Sequence, residues 1–134
     1  MKIDFHTHST SSDGIFKAED LLLIANQHGI SHLALTDHDS MDGFKNAKKI
    51  AEKLNLRFFN GIEFTAHITE DKYEHILGYG IREYELVETY LKKLREERIF
   101  LVKQYVNILQ SVGYKVTLED ICSITPGEYI TIGH

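Results

Sequence analysis

KIDFHTHSTSSDGIFKAEDLLLIANQHG, residues 2–29, runs through a strand, a turn and a helix, and its reading decides the fold. KIDFHTHS alternates apolar and polar side chains with period two, the pattern of a strand. Strict alternation sets Asp4, His6 and His8 on one face and Ile3 and Phe5 on the other. STSSDG is a cluster of turn formers. KAEDLLLIANQHG then reads as a helix with Gly29 as its stop signal.

The same alternation of elements continues. SHLALTDHD (31–39) is a second strand, apolar at Leu33 and Leu35. DGFKNAKKIAEKLNL (42–56) is an amphipathic helix with Phe44, Ala47, Ile50, Ala51 and Leu54 at helical spacing. RFFNGIEF (57–64) is a third strand. The order βαβαβ predicts parallel strands joined by helical crossovers. About ten residues separate Glu63 from the next apolar run, too few for another crossover. FTAHITEDKYEHILGYG (64–80) is therefore expected to be a hairpin turning near Glu70 and Asp71. Residues 84–114 form a long helical pattern, with Leu91, Leu94, Leu101, Val102, Tyr105, Leu109 and Val112 as its apolar stripe and Gly113 at its end. A short helix follows in VTLEDICSIT, with Thr117 as cap and Pro126-Gly127 as stop.

The bulk numbers agree with one α/β domain. The chain has 134 residues, 43% of them hydrophobic and 26% charged, a globular balance. Twenty acidic against fifteen basic residues leave a net charge of −5, so no basic track for long nucleic acid is expected. No apolar run approaches membrane-spanning length and no signal peptide is visible. The single cysteine, Cys122, excludes an internal disulfide and suits a reducing compartment, so a cytoplasmic location is expected. Within its helical stretch Cys122 is expected to be a buried thiol.

Polar residues gather where parallel α/β sheets build their sites, at the C-terminal ends of strands. The first three strands deliver His6, His8 and Asp13, then Asp37, His38 and Asp39, then Glu63. Imidazole and carboxylate are ligands for zinc, manganese and iron alike. An H-x-H pair on one strand face puts its Cα atoms roughly 7 Å apart, near enough to grip one ion. The bland alternative is two ordinary strand histidines, but two imidazoles beside an Asp would be costly in an apolar core. His67 and His75 compete for a place beside Glu63, and hairpin register decides between them.

DFHTHSTSSDG, ALTDHDS, GIEF and HILGYG, in this order and spacing, resemble the PHP (polymerase and histidinol phosphatase) domain. The resemblance implies the N-terminal part of a distorted seven-stranded (β/α)7 barrel, with residues 1–82 as its front half. Residues 83–134 are similar, more loosely, to a helical insertion after the fourth strand. It implies a metal-dependent phosphoesterase hydrolysing a small phosphate ester or nucleotide with a metal-activated hydroxide. Two or three divalent ions (Mn, Fe or Zn) are implied. His6 and His8 would bind one, with Glu63 bridging it to another, Asp13 and His38 a further ion, and His75 a third; His134 would be a ligand too. The family ends with an Asp-x-His motif that supplies two more ligands, and this chain is expected to stop before it; ITIGH lacks the arginine that many relatives carry before the histidine. The expectation is therefore the front part of a longer protein. A homo-oligomer in which a second copy completes the sheet is the alternative.

The rival functions are a histidinol-phosphate phosphatase and a non-catalytic, metal-stabilised module. Asp37 and Asp39 are the candidates for orienting a ligand or shuttling a proton, and an N-cap role for Asp39 or Ser40 competes. Asp4 is expected to accept an imidazole N–H. His28 and His32 are expected to be structural or surface residues. KKLREER (92–98) is expected to be a solvated helix face with i,i+4 pairs, against a long-odds role for Arg95 or Arg98 on substrate phosphate.

Overall fold

Among the described residues, eight elements follow in the order β1 (Lys2–Thr7), α1 (Ala18–Gln27), β2 (Ile30–Leu35), α2 (Asp42–Ala51), β3 (Arg57–Thr69), β4 (Lys72–Tyr79), α3 (Tyr84–Ser111) and α4 (Leu118–Ile124). They come from a computed structural model, which describes residues 1–69, 72–124 and 130, the side chain of His67 excepted. The expected turn residues Glu70 and Asp71, the Pro126-Gly127 stop and His134 lie outside the described residues.

The strands form one sheet in the order β1-β2-β3-β4. β1 pairs with β2 and β2 with β3 in parallel, as the βαβαβ order requires. β4 returns antiparallel along β3, pairing Gly61 with Tyr79, Glu63 with Leu77 and Thr65 with His75. The sheet curls. The Tyr79 hydroxyl on the last strand donates to the Phe5 carbonyl on the first at 2.7 Å, and the Phe5 ring lies 5.4 Å from Phe59 and 6.0 Å from Tyr79.

One face of the sheet is closed by helices. Leu33 and Leu35 pack with Leu22 of α1 and Phe44 and Ala47 of α2. Leu22 is fully buried, and each such leucine stabilises the fold by roughly 1.5–3 kcal/mol over leaving it in water. Ile62 and Phe64 of β3 turn to the same side, where Met41 and Leu91 of α3 cover them. A third cluster joins Val102 and Val106 of α3 to Leu118, Ile121 and Ile130. At the start of α4 the Thr117 hydroxyl accepts the Asp120 N–H while the Asp120 carboxylate accepts the Thr117 N–H, a reciprocal cap.

Four expectations need correction. β1 does not alternate strictly: between Asp4 and Thr7 it spends three residues against two of β2. That bulge lets Phe5 and His6, neighbours in sequence, both reach the β3 face that carries Phe59 and Glu63. Along α3, Leu101, Tyr105, Leu109 and Val112 are exposed, and the buried line runs instead through Leu91, Val102 and Val106. KKLREER is not a uniformly solvated face: Lys93 and Glu97 form the expected i,i+4 pair, but Arg95 reaches Glu88 and Arg98 reaches Asp39, both largely sheltered. Cys122 is exposed, because α4 turns Leu118 and Ile121 toward α3, and the next residue points about 100° away.

Candidate metal centre

β1 and β2 are locked together just before the site. Thr7 Oγ1 donates to the Ala34 carbonyl at 2.8 Å, and the Thr36 N–H donates to the Thr7 carbonyl at 2.9 Å. Beyond Thr7 the chain turns tightly, with the Ser12 and Gly14 N–H groups both donating to the Ser9 carbonyl. Only glycine fits at position 14, since a Cβ there would lie 2.3 Å from the His8 carbonyl oxygen. This turn carries Asp13 back over His8.

Asp37 anchors the turn from behind. Its buried carboxylate accepts the Ser9 N–H (2.6 Å), the Ser9 hydroxyl (2.8 Å) and the Ser12 hydroxyl (2.8 Å). Burial holds its pKa above the usual carboxylate value, even though these bonds pull the other way. Asp39 points elsewhere, its Oδ1 accepting the Thr65 N–H at 3.0 Å and its Oδ2 accepting from Arg98 at 2.6 Å. Asp4 accepts the backbone N–H of His6 at 3.3 Å rather than an imidazole N–H. Among the described residues, Ser9 and Ser12 are the supporting residues that sequence reading did not single out. The signal was present in the STSSDG turn, whose hydroxyls bond locally as readily as they cap.

At the centre stands Glu63, its side chain 8% exposed. Oε2 lies 2.8 Å from His6 Nε2, 3.1 Å from His8 Nε2 and 3.8 Å from His38 Nε2. Oε1 lies 3.4 Å from His75 Nδ1. Asp13 stands opposite, 3.2 Å from His8 Nδ1 and 3.7 Å from His38 Nε2. The register Thr65–His75 puts His75 on the Glu63 side of the hairpin. The four rings follow one another with centroids 5.1, 4.7 and 4.7 Å apart. His28 caps the C-terminus of α1, and His32 stacks on Phe59; neither joins the cluster.

Among the described residues, three groups each bring three ligand atoms within 4.8 Å of one another: His6, His8 and Glu63; His8, Asp13 and His38; and His38, Glu63 and His75. An ion bound at about 2.0–2.2 Å needs donors of this type that close together. His38 supports the fit, because burial lowers its pKa against the pull of Glu63 and Asp13, with His8 and His75 pushing the same way as burial. Its imidazole is thus neutral near pH 7, the form that offers a lone pair. The donor set also limits the number of ions. A neutral imidazole presents one lone pair, while His8 and His38 each stand in two groups. The first and third groups can fill together, joined by the two oxygens of Glu63. A third ion would need donors beyond these six residues.

The PHP domain signature matches residues 4–121. The phosphoribosyl 1,2-cyclic phosphate 1,2-diphosphodiesterase of Eggerthella lenta is 41% identical over 81 residues, which is 60% of this chain and 31% of that protein. The 3',5'-nucleoside bisphosphate phosphatase of Chromobacterium violaceum is 33% identical over 83% of this chain and 39% of its own. A crystal structure from Bifidobacterium adolescentis, assigned to the metal-dependent phosphoesterases, superposes with a TM-score of 0.80 at 26% identity. It covers 96% of this chain and 46% of its own, so the four-stranded sheet and its helices are a portion of that larger fold. The chain spans less than half the length of each of these three proteins.

Proposed function

This chain belongs to the PHP domain family, and we propose that it carries most of the metal centre of a phosphoesterase acting on small phosphate esters, nucleotides among them. The observation that carries this reading is the convergence of His6, His8, His38 and His75 on the buried carboxylate of Glu63, with Asp13 opposite, against His8 and His38. In it, His6, His8 and Glu63 would hold one divalent ion, His38, His75 and Glu63 would hold a second, and Asp13 and His134 would be further donors. Mn, Fe and Zn all suit these ligands. When bound, such ions polarise phosphoryl oxygens and lower the pKa of water.

The chain's own groups do the rest. Glu63 would supply negative charge to balance bound cations. Asp37 holds the Ser9–Asp13 turn, and with it the rim carboxylate of Asp13, while Asp39 fixes β3 just beyond Glu63. Asp13 and His6 are half exposed, so the cluster opens toward solvent on their side, where a small ester can enter. The substrate class is supported by the two relatives, one named for a phosphoribosyl cyclic phosphate and one for nucleoside bisphosphates. The remaining barrel strands, in this reading, belong to a longer protein of which this is the front part, consistent with the 46% coverage of the solved neighbour. No helix among the described residues is long and apolar enough to cross a membrane. A reducing, cytoplasmic setting is proposed from the single cysteine.

The test is metal content by mass spectrometry on protein purified without chelators, followed by phosphate release from nucleoside monophosphates and bisphosphates and by ring opening of cyclic phosphates to monoesters. Two or more equivalents of Mn, Fe or Zn, with release abolished by chelator and restored by metal, are expected. Folded protein that holds no ion even after metal is supplied would end the proposal.

A further inference from the structure

Asp39 follows His38 directly, and its side chain is fully buried. Its backbone φ of 45° lies in the left-handed region, uncommon for a residue with a Cβ unless the surroundings hold it there. Its carboxylate joins two other elements. Oδ1 accepts the Thr65 N–H of β3, and Oδ2 accepts a charge-assisted bond from Arg98 Nη2 of α3, 59 residues away in sequence. The backbone closes the same circle: the Asp39 N–H donates to the Glu63 carbonyl and the Glu63 N–H to the Asp37 carbonyl, both at 3.1 Å. His38 and Glu63 are thereby held side by side as an isolated parallel bridge beyond the end of β2.

A buried carboxylate is stable only when a cation or several donors compensate it. Take Arg98 away and Asp39 has one backbone N–H against a full charge. The cheapest response is to swing the carboxylate toward water, which releases Thr65 and loosens the bridge. We infer that Arg98 is a positioning residue of the metal centre: by compensating Asp39 it locks the His38–Glu63 bridge, so that the helical segment sets metal affinity without touching an ion. This rests on reading the His/Asp/Glu cluster as a metal centre. The sequence placed Arg98 on a solvated helix face or, at long odds, on substrate phosphate. The structure gives it a different task.

Two readouts on the full-length protein test this. In metal-free Arg98→Met, amide hydrogen exchange at Asp39, Glu63 and Thr65 should rise about tenfold or more, while Leu22 in α1 keeps its wild-type rate. Zinc affinity, measured by competition with a chromophoric chelator, should fall about 10–100-fold, as when a metal ligand loses its support. Adding Asp39→Asn should restore both, since the amide oxygen still accepts from Thr65 and needs no cation. Arg98→Lys should fall between wild type and Arg98→Met. Unchanged exchange at the three amides, or a zinc loss that Asp39→Asn does not rescue, would overturn the proposal, the latter by showing that Arg98 acts directly. If Arg98→Met does not fold, Asp39→Asn is compared with the Asp39→Asn/Arg98→Met double variant. Equal affinities are expected, and a further loss on adding Arg98→Met overturns the idea. Wild-type protein that protects these amides yet binds no zinc would overturn the metal-centre reading, and the claim on affinity with it.

Discussion

Glu63→Gln separates a metal-bridging carboxylate from a merely structural one. The substitution keeps the shape of the side chain and replaces one oxygen with an NH2 group, which cannot ligate. Among the described residues, two of the three ligand groups contain Glu63, and only His8, Asp13 and His38 form one without it. Metal content is therefore expected to fall from two or more ions per chain to one at most. Losing a residue that merely supports a ligand costs about 10–100-fold in affinity, and losing the ligand itself should cost at least the upper end of that range. A hundredfold corresponds to about 2.7 kcal/mol. The metal-free fold should respond little. The substituted amide can still accept through its remaining oxygen, and the His6, His8 and His75 rings can exchange tautomers to receive its NH2, so the change in apo stability should stay within about 1 kcal/mol. Metal content by mass spectrometry, zinc affinity by chelator competition and thermal unfolding with and without metal read the three quantities. Two ions retained in Glu63→Gln would refute the bridging role. A large loss of apo stability would show instead that Glu63 serves as an acceptor for protonated histidines in a structural cluster.

Gly43→Ala should destabilise the protein by about 1–3 kcal/mol in urea unfolding, because its Cβ would sit 2.4 Å from Asp37 Oδ2 and 2.6 Å from Ser9 Oγ; a neutral result would mean the Ser9–Asp37 clasp has slack. Glu88, which bridges Lys45 of α2 and Arg95 of α3, has its pKa lowered: burial raises it, and the bonds from Lys45 and Arg95 outweigh that. A lowered carboxyl pKa stabilises the fold above the unfolded value of 4.5 and ceases to do so as pH falls through the lower folded value. Glu88→Gln should therefore lose less than about 1 kcal/mol at pH 7, the pair being partly exposed, with the deficit shrinking as pH falls below 4.5 and gone once it is below the lowered folded value; a constant deficit across that range would point to packing instead. His28→Ala should leave metal content and phosphate release unchanged, since His28 caps α1 away from the cluster, and a large loss of either would redraw the site.

Much of the architecture is legible in the one-dimensional pattern, because periodicity and punctuation are local. Leu33 and Leu35 alternate in a short strand and are buried as a pair. Phe44, Ala47 and Ala51 recur at helical spacing and line one face of α2. Ten residues between Glu63 and the next apolar run permit a hairpin and forbid a crossover, and the hairpin is there. The chemistry of the site is equally local in origin: an H-x-H strand end, TDHD and GIE put ligand types at three adjacent strand ends, which a parallel sheet must bring together.

Other features depended on contacts between residues far apart in the chain. Alternation alone gave Phe5 and His6 opposite faces, and a bulge against β2 brought both to one side. His67 and His75 were level on spacing, and the pairing of Thr65 with His75 is what stands His75 beside Glu63. Asp37 and Asp39 look alike in TDHD, yet one clasps the Ser9–Ser12 turn and the other receives Arg98 from a helix 59 residues on. No periodicity encodes such a meeting. By itself, then, the sequence determined which elements form and which ligand types reach the sheet's C-terminal edge, since both follow from short-range sterics and burial. Tertiary structure alone decided which carboxylate faces which imidazole, because that turns on register, a one-residue bulge and the compensation of a buried charge across the fold.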